Sequence, residues 1–359
     1  MENEKQAIIF IPGFDANTQN YYIEHYLGIG LTSRLEGKKI TLDSEDIKIA
    51  GQSGKRFIYY IDKKHKKTID VYEVYWTDLA DSLTKESQKK QLILGFDLFL
   101  FWLPKFFTIA SKSKIFLIQI NLFLVLMLAW YYGIVVMLLT AIGSDPNILG
   151  TKIPEGWAKN LGEIGKSFGG WSVWIIVSIL LNLLPGSVNL IIDLVHFLKR
   201  YIQDETEKGL GGIRDRIRQR LNTVINDVLN EASYTKVKVL AHSVGTLIAT
   251  DTLADYQPDE LKKIHYITLG SPLEALTYKS VWLQQEIDKC LQNEFIETWS
   301  DFYSDQDWLC SKVPISNGEN RSKIEFMPLS LRVSWLNQLL GKSHNAYFFD
   351  SKVLSKIIE

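Results

Sequence analysis

The chain has 359 residues, of which 46% are apolar and 23% charged, and its formal net charge at pH 7 is −1. This length suffices for one large domain or two ordinary ones. The only two cysteines, Cys290 and Cys310, are too few for a disulfide framework and suit a reducing compartment.

The first predicted element is a β-strand at residues 7–11, Ala-Ile-Ile-Phe-Ile, which ends in the turn Pro-Gly-Phe at residues 12–14. No charged n-region and cleavage site of a secretory signal precede it, so we interpret it as a strand of the fold. Residues 56–60 and 68–76 are rich in strand-forming residues and flank the charged segment 62–67, which predicts a hairpin. The charged segment carries no nucleic-acid signal. We interpret it as a solvated turn, with contact to anionic lipid headgroups as the alternative.

The middle of the chain, residues 92–198, has the composition of a membrane insertion. Residues 115–142 contain no charged residue and could span a bilayer with some tilt. Residues 171–192 are also uncharged and predict a second transmembrane helix, kinked at Pro185. Residues 92–110 are rich in Leu, Phe and Trp but interrupted by charge and proline, which favours an interfacial or re-entrant helix. The alternative is that this segment covers an apolar groove on the remaining domain.

Basic residues flank this predicted transmembrane hairpin on both outer sides. Lys112 and Lys114 precede it, and Lys199, Arg200 and further arginines follow it. The positive-inside rule therefore predicts an integral membrane protein whose two flanks are cytoplasmic, with the polar loop 143–170 outside. An even number of spans returns the chain to its starting side. The predicted organisation is a domain in two parts, residues 1–91 and 199–359, with the insertion 92–198 between them.

After the insertion, residues 213–232 alternate charged and apolar residues at helical spacing, which predicts an amphipathic helix packed on a sheet. A short apolar strand at residues 237–240 then runs into Ala-His-Ser-Val-Gly at residues 241–245. Small residues on both sides of Ser243 allow the tight strand-to-helix turn of a serine nucleophile elbow. The alternative is that Ser243 merely caps a helix.

Two further strands are predicted at residues 265–269 and 295–303, and their alternation with helices favours a largely parallel α/β sheet. Functional loops of such a sheet gather beyond the carboxyl ends of its strands. Asp307 is the preferred catalytic acid there, with Asp305 as the alternative. His344 is the histidine that follows both carboxylates, and it is the candidate general base that would take the proton of Ser243.

Backbone N–H groups of Phe14 and Val244 are the candidate oxyanion donors, one from the turn after the first strand and one from the residue after the nucleophile. The alternative for residues 12–14 is a plain strand-ending turn. His242 is interpreted as a packing or hydrogen-bonding residue. The other histidines show no metal-ligand spacing, so no metal and no cofactor are predicted.

The segments 241–245 and 268–272, Thr-Leu-Gly-Ser-Pro, resemble motifs of the α/β-hydrolase superfamily, above all its lipase and esterase branch. The resemblance covers residues 5–80 and 210–350. It implies an α/β-hydrolase fold, a mostly parallel sheet flanked by helices, interrupted here by the membrane hairpin. The chain departs from many lipases at Pro12, where they have histidine before the oxyanion glycine.

The resemblance also implies an activity and a substrate class. We expect a membrane-anchored serine hydrolase that cleaves carboxylic esters, plausibly lipid acyl esters, through an acyl-Ser243 intermediate. A thioesterase or peptidase would use the same Ser243, Asp307 and His344. A catalytically silent scaffold or interaction protein is the alternative from another class. The expected partners are the ester substrate and the bilayer.

Overall fold

The architecture is seen in a computed structural model of the chain. The structure describes residues 4–14, 18–36, 43–60, 66–80, 94, 96–97, 100–102, 114–148, 150, 152–173, 175, 188–204, 206–207, 211–257, 263–316, 322–339 and 341–359.

The described residues contain ten strands. They are β1 (Glu4–Ile11), β2 (Asp43–Ile49), β3 (Gln52–Tyr60), β4 (Lys66–Glu73), β5 (Thr206–Glu207), β6 (Gly211–Gly212), β7 (Lys236–His242), β8 (Ile264–Leu269), β9 (Ile296–Tyr303) and β10 (Ile324–Pro328).

Eight of these strands form one mixed sheet in the order β2-β3-β4-β1-β7-β8-β9-β10, while β5 and β6 pair only with each other. All pairings from β4 to β10 are parallel, and β3 is antiparallel to both of its neighbours. The predicted α/β class with a mostly parallel sheet is therefore confirmed.

The α-helices surround the sheet or belong to the central segment. They are α1 (Gly28–Glu36), α2 (Lys114–Ser144), α3 (Glu155–Ser167), α4 (Val188–Gln203), α5 (Ile213–Asn230), α6 (Gly245–Ala254), α7 (Leu273–Thr277), α8 (Val281–Gln292), α9 (Trp335–Leu339) and α10 (Ser351–Ile358). A π-helical turn, Ile23–Leu27, leads into α1, and a 3₁₀-helix, Lys342–Phe349, precedes α10.

Strand β1 lies in the middle of the sheet because its sequence is apolar on both faces. Residues 7–11 are all completely buried. A strand that is covered on both faces is expected to be a continuous apolar run rather than an alternating one. Its parallel neighbours β4 and β7 cover its two edges.

Successive side chains of β1 point to opposite faces and enter two separate cores. Ile9 packs in one core with Val239, and Ile8 packs in the other with Leu240. Helices α4, α5, α6 and α8 complete the first core. The second core is completed by α1 with the π-helical turn before it and by α10 with the 3₁₀-helix before it. Helices therefore flank the sheet on both faces.

Several elements predicted from the sequence are confirmed. The amphipathic helix is α5, and the apolar strands are β1, β7, β8 and β9. The hairpin predicted around residues 62–67 is the antiparallel pair β3 and β4. Strands β2 and β10, at the two edges of the sheet, were not predicted.

The chain divides into two compact units. The larger unit consists of Met1–Phe116 and Ile192–Glu359, and the smaller unit is Leu117–Ile191. In the smaller unit, α2 and α3 approach closely at Gly143 and Gly162. A Cβ added at Gly143 would lie 2.4 Å from the Cα of Gly162, so this contact requires two glycines.

The predicted transmembrane hairpin is not supported by the described part of the chain. Helix α2 coincides with the first predicted span, residues 115–142, but no helix among the described residues is both long enough and apolar enough to cross a membrane. Residues 174 and 176–187, most of the second predicted span, lie outside the described residues. The segment 143–170, predicted as a polar loop, contains α3, which its glycines allow to pack against α2.

The segment 92–110 is described at residues 94, 96–97 and 100–102, and its remaining residues lie outside the description. Trp102 packs against the core of the larger unit, and Asp97 forms an ion pair with Lys199. The backbone carbonyl of Phe101 accepts a hydrogen bond from Lys279. These contacts join the described residues of this segment to the larger unit.

We expect Gly245→Ala to destabilise the fold. A Cβ at this position would lie 2.2 Å from the carbonyl oxygen of Ile11 and 2.6 Å from that of Pro12, so α6 would have to move away from β1. Overpacking of this kind costs about 1–3 kcal/mol of the free energy of unfolding. Urea unfolding followed by circular dichroism measures the change.

Gly156→Ala is the matched control. Gly156 lies in α3, and nothing would come within 4 Å of the added Cβ. This variant should keep or raise the stability, by up to about 1 kcal/mol, since alanine favours a helix over glycine. Equal losses in both variants would contradict the proposed close contact of α6 with β1.

Candidate active site

Ser243 lies between the end of β7 and the start of α6 in a backbone conformation that residues other than glycine rarely adopt. Its φ is 55°, in the left-handed region. The amide and the hydroxyl of Thr246 both donate to the Ser243 carbonyl, at 3.0 and 2.6 Å, and the Ser243 amide donates to Leu269 at 3.0 Å. These bonds to the main chain of Ser243 hold the strained turn in place. Ser243 itself is partly exposed, whereas the residues on either side of it are buried.

The turn that follows β1 lies directly beside this serine. A Cβ added at Gly13 would lie 2.8 Å from the Cβ of Ser243 and 3.3 Å from its Oγ. Phe14 is the next residue, and Val244 immediately precedes the first residue of α6. The structure thus brings the two segments that carry the predicted oxyanion donors to the nucleophile.

Asp307 and His344 form a direct pair. The Nδ1–H of His344 donates to Oδ2 of Asp307 at 2.8 Å. Asp307 is completely buried in the loop after β9, and His344 lies in the 3₁₀-helix before α10. Asp305, the alternative acid, is exposed two residues earlier, so the carboxylate that contacts the histidine is that of Asp307.

Further donors surround the Asp307 carboxylate. The Leu309 amide donates to Oδ1 at 3.0 Å, and the Cys310 thiol donates to Oδ2 at 2.8 Å. Burial acts to raise the pKa of Asp307, but the adjacent His344 and these hydrogen bonds outweigh it and hold the pKa at about 2. The carboxylate is therefore ionised at every pH at which the histidine could act as a base.

Gly270 lies close to both Asp307 and His344. It has a φ of +57°, and a Cβ there would lie 3.1 Å from Oδ2 of Asp307 and 3.2 Å from Cε1 of His344. Any side chain at this position would push against the acid and the base together. This requirement explains why a glycine follows β8.

Because Asp307 occupies Nδ1 of His344, Nε2 is the ring nitrogen left for the serine. The described contacts of Ser243 and His344 do not include a direct hydrogen bond between Oγ and the imidazole. Catalytic hydrogen bonds of this kind often become short only when substrate is bound.

The turn at residues 12–14, which carries one predicted oxyanion donor, is held by an aromatic cluster. The indole N–H of Trp76 donates to the Pro12 carbonyl at 3.0 Å, and both partners are buried. The ring of Phe14 packs against Trp76 and Phe197, with centroid separations of 6.1 and 5.7 Å. The hydrogen bond from Trp76 to the Pro12 carbonyl fixes the orientation of the peptide group between Pro12 and Gly13.

The loop that carries the acid is tied to the sheet by a second carboxylate. Asp301 of β9 accepts a hydrogen bond from the Val313 amide at 2.8 Å and another from the Thr268 hydroxyl at 2.7 Å. Burial raises the pKa of Asp301 to about 7 despite these bonds. Asp301 therefore anchors the loop beyond Asp307, where it returns to the sheet.

Cys310 and Trp76 were not identified from the sequence as parts of the site. Cys310 follows Asp307 by three residues in a turn, and a single cysteine in a loop gives no signal of such a contact. Trp76 is 64 residues from Pro12 in the chain. Its only sequence signal is its position just after β4, at the sheet edge where loops after parallel strands meet.

Asp307, Cys310 and His344 also lie close enough together to be considered as metal ligands, with ligand atoms within 4.8 Å of one another. Their hydrogen bonds place protons on Nδ1 and Sγ, where a metal would have to bind. Burial, together with Asp307, raises the pKa of the Cys310 thiol well above its ordinary value, which opposes the thiolate that a metal needs. The group therefore fits a hydrogen-bonded acid–base pair better than a metal centre.

Comparison with known proteins gives one family match. Residues 189–299 match the family model "Putative serine esterase (DUF676)". The matched range includes α5, β7, Ser243, α6 and β8, and it ends before Asp307 and His344. No curated protein and no solved structure matches the chain. The sheet and the family match together fit a serine-hydrolase-like protein.

We expect Trp76→Phe to slow ester hydrolysis about tenfold, less than the 10²–10³ that loss of a whole oxyanion donor costs. The phenyl ring keeps the packing against Phe14 but cannot donate to the Pro12 carbonyl. The measurement is kcat for a short-chain p-nitrophenyl ester, with KM expected to change little.

Trp282→Phe is the control, because Trp282 donates its indole N–H to the Ile202 carbonyl at 3.2 Å instead of to residues 12–14. Equal losses of kcat in the two variants would argue that Trp76 acts only through general stability.

Proposed function

We propose that this protein is a serine esterase that hydrolyses carboxylic esters through an acyl-Ser243 intermediate. The observation that carries the proposal is the left-handed backbone of Ser243 at a strand-to-helix turn, on a sheet that also presents the Asp307–His344 pair. The family match over residues 189–299, which contain Ser243, supports the same reaction class.

In this mechanism His344 accepts the Ser243 hydroxyl proton as Oγ attacks the ester carbonyl carbon. The N–H groups of Phe14 and Val244 bind the oxyanion of the tetrahedral intermediate. The intermediate collapses, the alcohol leaves with the proton held on His344, and the acyl group remains on Ser243. A water molecule, deprotonated by His344, then attacks the acyl carbon and releases the acid and free Ser243.

Asp307 holds His344 in the tautomer that this sequence needs. With its proton on Nδ1, the imidazole presents a lone pair at Nε2 to the serine. The ionised carboxylate also stabilises the imidazolium that forms in each half-reaction. Since the pKa of Asp307 is about 2, this support is lost only in strongly acidic solution.

A fluorophosphonate probe tests the nucleophile. We expect the wild type to be labelled at Ser243, located by peptide mass spectrometry, and Ser243→Ala to remain unlabelled, because the probe reacts with an activated serine hydroxyl. Turnover of an ester, an acyl thioester and a peptide amide of the same acyl group then identifies the bond that is cleaved.

Two aspartate variants serve as controls for the acid. Asp307→Asn should slow labelling by about 10⁴-fold, as expected when the histidine takes the wrong tautomer. Asp305→Asn should label at the wild-type rate, because Asp305 is exposed in the same loop. A folded wild type that resists the probe would overturn the proposal and favour a scaffold role.

For the substrate we propose lipid acyl esters, with the chain attached to a membrane through residues 92–198 and the catalytic unit on the cytoplasmic side. The proposal is supported by the uncharged runs 115–142 and 171–192 and by the basic residues that flank them. Large apolar side chains are also exposed on the described part of α2, and Val135 is 51% exposed. Lipid would remove such side chains from water.

Resistance to alkaline carbonate extraction tests the membrane attachment. We expect the full chain to stay in the membrane pellet and Leu128→Lys/Val135→Lys to be released, since Leu128 lies at the middle of the run 115–142 and a charge near the bilayer centre costs about 3 kcal/mol. Val281→Lys/Trp335→Lys is the matched control, because both residues are well exposed on the larger unit. Release of the wild type would overturn the attachment and leave the esterase proposal intact.

A further inference from the structure

His242, the last residue of β7, contacts the segment that carries the general base. Its side chain is completely buried, and its Nε2 lies 2.8 Å from the backbone carbonyl oxygen of His344. We propose that His242 is a positioning residue, which holds the main chain of His344 at the site by this hydrogen bond. The proposal rests on the proposed function, in which His344 is the base.

The hydrogen bond assigns the tautomer of His242. A carbonyl oxygen can only accept, so the proton of the His242 ring lies on Nε2. Burial lowers the pKa of His242 to about 3, and the neighbouring His344 lowers it as well. The ring is therefore neutral throughout the range in which His344 works, and it does not compete with His344 for the serine proton.

The His242 ring is held rigidly enough to act as an anchor. It packs against Phe348, with ring centroids 4.9 Å apart, and against Tyr22 at 5.7 Å. The rings of His242 and His344 themselves lie 4.7 Å apart at an angle of 41°. These contacts restrain the direction in which Nε2–H points.

His344 thus has two anchors at different atoms. Asp307 binds its Nδ1, which sets the rotation of the ring, and His242 binds its carbonyl oxygen, which sets the position of the backbone. A displacement of about 1 Å in a reacting group can reduce a rate by about 10²-fold. Loss of the second anchor should therefore lower turnover even though Asp307 and His344 remain paired.

The test compares His242→Gln with His242→Met. The two side chains have similar length, but only glutamine carries an amide N–H that can reach the His344 carbonyl. We expect His242→Met to lower kcat about 10- to 100-fold with KM within about twofold, and His242→Gln to recover most of the loss. Both variants should have unfolding midpoints close to each other, which separates positioning from general stability.

Amide hydrogen exchange of residues 342–349 gives a readout that does not need turnover. Exchange should accelerate in the methionine variant and stay near the wild-type rate in the glutamine variant. Equal kcat and equal exchange in the two variants would overturn the role of His242. If the wild type neither hydrolyses esters nor reacts with a fluorophosphonate, the proposed function fails instead, and the exchange comparison still decides whether His242 anchors the segment.

Discussion

The strained backbone of Ser243 is the constraint on which the rest of the site depends. A serine with a φ of 55° is unfavourable by itself, and it persists because the surrounding structure leaves no alternative. Gly13 and Gly245 permit the approach of the first strand and of the following helix to within distances that a Cβ would prevent. The hydrogen bonds from Thr246 then close the turn. The position of the partly exposed Ser243 side chain thus depends on close backbone packing together with these hydrogen bonds.

The acid and the base reach this serine through the parallel topology. The parallel strands β1, β7, β9 and β10 run in the same direction, so the segments that follow them gather at one edge of the sheet. Ser243 follows β7, Asp307 follows β9 and His344 follows β10, although Ser243 and His344 are 101 positions apart in the chain. Each of these segments is fastened separately. Asp301 ties the loop after Asp307 to the sheet, and Trp76 ties the turn at residues 12–14 to the residues after β4. Buried hydrogen bonds that do not involve the reacting groups thus fix the positions of these segments.

The sequence predicted the parts of this architecture that are governed by local pattern. Buried parallel strands are continuous apolar runs, and α5 has a clear helical period, so both were recognised. Strand β2 reads Asp-Ser-Glu-Asp-Ile-Lys-Ile and lies at an edge, where charged residues face solvent, so it gave no apolar pattern. The pairing of His344 with Asp307 followed from chain order, whereas the contacts of Cys310 and Trp76 arise from tertiary packing. Composition alone predicted the membrane hairpin, and the described helices do not support it.

The central place of β1 in the sheet has a consequence for how the chain folds during synthesis. Its edge toward β4 can pair early, but its other edge pairs with β7, whose residues are made about 230 positions later. At about 5–20 residues per second, this edge remains open on the ribosome for on the order of 10–50 s. An apolar strand with an open edge is a template for aggregation. Mispairing of this edge with another chain therefore competes with correct folding until β7 has been made.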